Sequence, residues 1–235
     1  RHGAARQQPA AAHRGQQQVE VRDLLDELPW FTGIEGSRGC PNKCRYCYLP
    51  ATPWSRFRPR PVEHVVEELR GLRQNLFIFF DDNIFGELDH ARRLFRAIIP
   101  LRKSWLIQAP TTIGKDEELL DVMQEAGCFN VQLGFQSFND ANLADASVKH
   151  NRVGRYRELV EKLHRRNMIV TGYFVFGFDA DRPDVFKATA RAVSELELDD
   201  VGMFILTPFP GTDFHRQYAE EGRLLCARTT DGGKT

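Results

Sequence analysis

Three cysteines fall within eight residues of this chain, in the run Cys40-Pro41-Asn42-Lys43-Cys44-Arg45-Tyr46-Cys47. The spacing is C-x3-C-x2-C, with the aromatic Tyr46 just before the last thiol. Thiolate sulfur is a soft ligand that suits zinc and iron–sulfur clusters. A structural zinc site takes four protein ligands, and an ordinary electron-transfer cluster takes four cysteines. Three thiolates can hold three corners of a four-iron cluster and leave one iron open to a substrate or cofactor. The pattern therefore points to chemistry rather than to a structural clip. Neither Asp nor Glu interrupts the loop, which argues against a hard-metal site. Gly39 gives the backbone room to turn around a bulky group. Lys43 and Arg45 lie between the ligands and are expected to offset part of the cluster's negative charge. The bland alternative is a zinc knuckle completed by a distant residue. The other thiols, Cys128 and Cys226, belong to no second motif; Cys128 reads as a small apolar core residue.

Other polar residues stand where strands end. Asp81, Asp82 and Asn83 close one apolar run. Carboxylates there can accept from an ammonium group, and an amide can donate or accept; the alternative is an N-cap for the next helix. Gln108 interrupts the apolar run Leu106-Ile107-Gln108-Ala109, so it faces a cavity or is a satisfied core amide. Gln136 and Ser137 follow another run, as ligand contacts or a loop cap. Gly172 and Gly177 bracket Tyr173–Phe176, and glycine in or at the end of a strand often marks close approach of a ligand. Thr207 opens a Pro- and Gly-containing turn that either touches a ligand or only turns. Arg56, Arg58 and Arg60 form a short basic run, read as solvated surface or as a docking patch for an electron donor or a phosphate.

These residues need elements to position them. Short apolar runs at Thr32–Gly36, Leu76–Phe80, Trp105–Ala109, Phe129–Gly134, Ile169–Phe176 and Val201–Leu206 look like parallel strands buried on both faces. Between them the period changes. Val62, Val65, Val66 and Leu69 fall on one helical face, as do Ala91, Leu94, Phe95 and Ile98, and Tyr156, Leu159, Val160 and Leu163. Asp116 caps a helix ending at Gly127, and 184–196 and 212–221 complete the set. Six βα units with right-handed crossovers give a parallel sheet that curls. A full eight-unit barrel takes about 250 residues, so this α/β chain is expected to form a partial, six-unit (β/α)6 barrel. Sites in such folds sit at the C-terminal ends of the strands, where the cysteine loop falls.

The expected domain plan is a poorly ordered segment over 1–29, a core over 30–225 and a frayed tail over 226–235. The sequence opens on Arg1 and not Met, which reads as a fragment, a processed product or an incomplete reading frame; the first of these leaves room for a neighbouring domain. Lys and Arg number 32 against 32 Asp and Glu, which argues against a general nucleic-acid or membrane-surface binder. The apolar run Leu76–Phe80 is too short to span a bilayer. Clustered free thiols are expected in a reducing, cytoplasmic setting.

With the cysteine loop, Tyr46 and the βα repeat in place, the chain resembles the radical S-adenosylmethionine (radical SAM) superfamily. The resemblance covers about Gly33 to Leu225. It implies a [4Fe-4S] cluster on Cys40, Cys44 and Cys47. It also implies S-adenosylmethionine chelated by the open iron, and one-electron cleavage to a 5′-deoxyadenosyl radical that abstracts hydrogen. Phe79-Phe80-Asp81-Asp82-Asn83-Ile84-Phe85 is similar to the second-strand motif of the subgroup that often carries a cobalamin-binding domain upstream. Gly177–Asp181, Leu206–Thr212 and Glu221-Gly222-Arg223 are similar to later parts of that subgroup, and Lys149, Asn151 and the helix from Tyr156 also fit. The resemblance implies cofactor contacts at Tyr46, Asp81, Asp82, Asn83, Gln108, Gln136, Ser137, Gly177 and Thr207. It implies methyl transfer or a related C–H functionalisation aided by cobalamin from a domain outside these residues. Its partners would be a single-electron donor such as flavodoxin or ferredoxin and a small-molecule substrate. Gln136-Ser137-Phe138 is closer to the oxygen-independent coproporphyrinogen dehydrogenases, an alternative that needs no cobalamin. A non-enzymatic iron–sulfur or zinc-binding module is the alternative from another class.

Overall fold

The computed structural model of this chain describes residues 30–224. The expectations for 1–29 and 226–235 lie outside the described residues. Six strands form the main sheet: β1 (Thr32–Ile34), β4 (Leu76–Phe79), β5 (Ser104–Ala109), β6 (Cys128–Gln136), β7 (Ile169–Phe176) and β8 (Asp200–Ile205). Their order is β1-β4-β5-β6-β7-β8, and every neighbouring pair is parallel. Parallel neighbours need crossovers. These are α1 (Val62–Gly71), α2 (Leu88–Ile98), α3 (Glu117–Glu125), α4 (Asp140–Asp145) with α5 (Tyr156–His164), and α6 (Val185–Glu195); α7 (Asp213–Glu220) follows β8. β1 and β8 are the two edges of the sheet, so the barrel is partial and open, as expected.

The helices form where one face is apolar and the ends are satisfied. Asp116 accepts the Leu119 N–H at 2.9 Å to start α3, and Gly127, at φ +93°, ends that segment. Thr212 starts α7 by accepting the His215 N–H at 3.1 Å. On the helix side of the sheet, Phe77 and Phe79 of β4 meet Phe95 of α2 and Trp105 of β5. Trp105 is fully buried and lies 4.8 Å from the Phe95 ring, and its indole N–H donates to the Ala126 carbonyl at 2.8 Å. A buried Trp needs such a partner.

Two sequence expectations need correction. The strands are not buried on both faces. In β5, Trp105, Ile107 and Ala109 are buried while Ser104 and Gln108 are exposed. Six strands leave the concave side of the sheet uncovered, and Met203, Phe204 and Ile205 of edge strand β8 are exposed. The second correction is a two-stranded antiparallel ladder, β2 (Ser37–Arg38) with β3 (Arg58–Pro59). It pinches together the chain on either side of the cysteine loop. No helix among the described residues is long and apolar enough to cross a membrane.

Candidate cluster and cofactor site

The loop carrying the three thiols leaves β1 on the C-terminal rim, and several bonds hold its base. The carboxylate of Asp81, 6% exposed, accepts the Gly36 N–H at 3.0 Å and the Ser37 hydroxyl at 2.6 Å. Asp82 accepts the Gly39 N–H at 2.7 Å. Gly39 sits at φ +85°, and a Cβ there would collide with the Arg56 carbonyl. The next amide, of Cys40, donates to the Ser55 carbonyl at 3.0 Å. The three acceptors converge on 36–40, so the first thiol is set by contacts far along the chain.

Cys40, Cys44 and Cys47 are free and partly buried. Burial, then the charges of Cys47 and Cys40, pushes the Cys44 thiol up to about 11. Burial also raises Cys47, with Cys40 and Asp82 adding to it and a Leu49 amide opposing it. Tyr46 packs against the core and shares a hydrogen bond with Cys44; burial and the thiol charges raise its phenol. The three thiols share one short loop, in which the Cys47 amide donates to the Cys44 carbonyl at 3.1 Å. Among the described residues no three His, Cys, Asp or Glu side chains are arranged to hold a single metal ion. Three soft, free, part-buried thiols on one short loop are the donor chemistry of a multi-iron cluster.

Arg45 does not face the cluster position. Its guanidinium pairs with the Asp145 carboxylate at 2.5 Å, donates to Gln217 and lies 4.6 Å over the Phe214 ring. The expected charge offset is therefore wrong for Arg45: its charge is met by Asp145, and its role is to tie the loop to α4 and α7. Lys43 is exposed.

The remaining predicted residues divide. Asn83 is nearly buried, donates from its side-chain amide to the Cys40 sulfur at 3.4 Å, and leaves its own carbonyl oxygen without a partner. Asp81 and Asp82 bind the loop backbone rather than capping a helix. Gln108 is exposed on the concave face, opposite Gln132 of β6 in the parallel register. Gln136 takes φ +67° and stacks its amide over Gly134. Ser137 is buried and accepts from Asn142 at 3.0 Å and from the Asn139 amide at 3.1 Å. Gly177, at φ +104°, donates to Asp181 at 2.7 Å, and Asp181 also accepts from Asn142 at 2.7 Å. Ser137 and Gly177 are thus joined in one rim network. Thr207 is exposed and donates to the Ile205 carbonyl at 3.1 Å.

Sequence reasoning found Gln136 but missed the other inner residues of the middle strands. Asn130, Gln132, Gly134 and Gln136 of β6 are only partly buried, alternating with Val131, Leu133 and Phe135. Asn130 donates to the Thr171 hydroxyl of β7 at 3.1 Å, and Tyr173 lies over Gly202. The signal was available as polar residues two apart within an apolar run.

The Radical SAM superfamily profile matches residues 34–193, more than half of the chain. Among curated proteins, the chain is 29% identical over 196 residues to bacteriochlorophyllide d C-12(1)-methyltransferase of Chlorobaculum tepidum, covering 81% of this chain and 43% of that one. It is 28% identical over 197 residues to cytidylyl-2-hydroxyethylphosphonate methyltransferase of Streptomyces wedmorensis, covering 79% and 37%. Among solved structures, the fold matches TsrM of Kitasatospora setae, a radical S-adenosylmethionine methyltransferase solved with cobalamin and a [4Fe-4S] cluster. The TM-score is 0.75 at 22% identity, covering 81% of this chain and 39% of that one. The chain spans less than half the length of these relatives.

Proposed function

The chain belongs to the radical SAM superfamily and is an enzyme, and from that premise we propose that residues 30–225 are the core of a cobalamin-assisted methyltransferase. The observation that carries this reading is the three-thiol loop, clamped on the strand rim beside an open concave face. The methyltransferase names of the relatives support the transfer of a methyl group, and cobalamin would come from a domain outside these residues. Bound on this rim, a [4Fe-4S] cluster would supply a single electron to S-adenosylmethionine.

The chain's own residues set the conditions for that chemistry. Cys40, Cys44 and Cys47 would hold the cluster as thiolates. Ligation by thiolate releases protons, and the raised thiol of Cys44 makes loading depend on pH. Asp81 and Asp82 fix the backbone at 36–39, the start of the loop next to the first thiol. Asn83 offers its amide beside the Cys40 sulfur and an unpartnered oxygen for a donor on the ligand. Gln108, Gln132 and Gln136 line the concave face with neutral donors and acceptors that orient a cofactor without adding charge. Tyr46 contributes a ring beside the thiols. Ser137, Gly177 and Thr207 belong to the rim and would contact the ligand through backbone groups. A one-electron donor such as flavodoxin or ferredoxin would reduce the site.

The test is anaerobic reconstitution of the full chain with iron and sulfide, then reduction and addition of S-adenosylmethionine. About four irons per chain and formation of 5′-deoxyadenosine are expected. One tightly held zinc and no iron would overturn the reading.

A further inference from the structure

The same rim carries a second recess that shares no residue with the cysteine loop. It lies between the turn Thr111–Lys115, which follows β5, and the start of α5, and encloses about 820 Å³. That is within the range of roughly 300–1,000 Å³ found for small-molecule sites.

Its charge is unbalanced. Lys115, Lys149, Arg152 and Arg155 line it. Lys162 does too, but it is already met by Glu117 at 3.0 Å and Glu158 at 2.8 Å. Arg152 donates only to the backbone carbonyls of Lys149 and Asn151, at 3.0 and 2.8 Å. Arg155 touches no carboxylate and acts on Glu158 only through space. Among the described residues Lys115 and Lys149 make no ion pair. The acidic residue left in the lining, Asp140, receives one long bond from the Val153 amide at 3.5 Å.

Elsewhere several cations are paired, Arg92 with Asp116, Arg96 with Glu118, Arg166 with Glu117 and Asp121, and Arg223 with Asp179. What sets the recess apart is that Lys115, Lys149, Arg152 and Arg155 share one concave place in a chain of zero formal net charge. The start of α5 adds to the field. The N-cap residue of its first turn makes no side-chain capping bond, the turn Val153–Arg155 before it has the long contact to Asp140 described above, and nothing lies within 4 Å of a Cβ built on Gly154. Uncapped amides at a helix start favour anions.

We propose that this recess binds a phosphate-bearing small molecule, with Lys115 and Arg155 as its anchors.

The experiment is calorimetric titration of inorganic pyrophosphate into the full chain as purified, with no cluster loaded. One binding event is expected, weakening as salt is raised. The double variant Lys115→Gln/Arg155→Gln should bind about tenfold more weakly or worse. A control with the same change in net charge, Arg70→Gln/Arg73→Gln, lies before β4 at the other end of the strands and should bind as the parent does. Unfolding temperature is measured for each variant. If the double variant does not fold, the exposed single change Lys115→Gln carries the test and should weaken binding severalfold. No heat with pyrophosphate, equal loss in the control, or binding seen only with a single-stranded oligonucleotide would each overturn the proposal. A chain that binds pyrophosphate yet never yields 5′-deoxyadenosine loses the radical reading and keeps the recess.

Discussion

The side chain of Asp82 accepts the backbone N–H of Gly39 at 2.7 Å, linking the end of the second barrel strand to the residue before the first thiol. The bond joins positions 43 apart in sequence, and it forms only if β4 lies beside β1. Assembly of the sheet and placement of the thiols are therefore one event.

Removing that carboxylate should show first in metal retention. Asp82→Ala loses a charge-assisted bond to a backbone amide, a change of about 1–3 kcal/mol. The variant should fold and lose iron to a chelator faster than the parent, measured by iron content against time. Equal retention would remove Asp82 from the role of loop clamp.

Gly39→Ala is the harsher change. The position combines φ +85° with a Cβ that would meet the Arg56 carbonyl. A loss of at least about 2 kcal/mol in urea unfolding is expected, with the β2–β3 ladder giving way first. Hydrogen exchange at 37–40 and 55–59 would locate the damage.

Arg45 offers a contrasting case. Its charge is met by Asp145, and its plane lies over Phe214. Arg45→Met should therefore cost about 1–2 kcal/mol in stability while leaving the reduction potential of the loaded cluster nearly unchanged. A large shift in potential would mean that the guanidinium acts on the cluster after all.

Asp81 predicts a pH dependence of known sign. Burial pushes its carboxyl up to about 6, against the opposing bonds from Gly36 and Ser37, from an ordinary value of 3.8. The folded state thus holds the proton more tightly than the unfolded chain does. This group's contribution is full below about 4 and is lost as pH rises through about 6, by an amount on the order of 3 kcal/mol. Urea midpoints of the parent and Asp81→Asn, compared between pH 4 and 7, should diverge in that direction. Parallel curves would show that Asp81 titrates normally.

The loop ligands should be unequal to their neighbours in sequence. Cys47→Ala should lose the cluster absorbance and 5′-deoxyadenosine together, whereas Cys128→Ala, at a thiol buried against the sheet, should keep both. Reconstituted optical spectra decide it.

Much of this was legible in the sequence. The six apolar runs became the six strands, because a run such as Leu76–Phe80 has no other way to bury itself in a βα repeat. The thiol spacing was readable because all three ligands are local. What stayed hidden depends on distant partners. Ser37–Arg38 and Arg58–Pro59 are polar two-residue strands with no period to detect, and they pair only because the loop between them is pulled closed. Asp81 and Asp82 looked like ligand contacts at a strand end, and nothing local says that backbone amides more than forty residues earlier take them instead. The inner polar residues of β6 were masked by their apolar alternates, since the run Phe129–Gly134 was taken as buried on both sides.

The unjoined edges of the sheet have a mechanical consequence. A closed ring of strands has a girth set by its ladder bonds, and widening it means breaking some of them. Here β1 and β8 never meet, so the wall can splay or tighten by small changes of twist with every ladder bond intact. The thiol loop straddles that gap: Asp81 and Asp82 bind its start, while Arg45 binds Asp145 and Gln217, the latter on the helix after β8, so a change in the breadth of the mouth is passed to the thiols themselves.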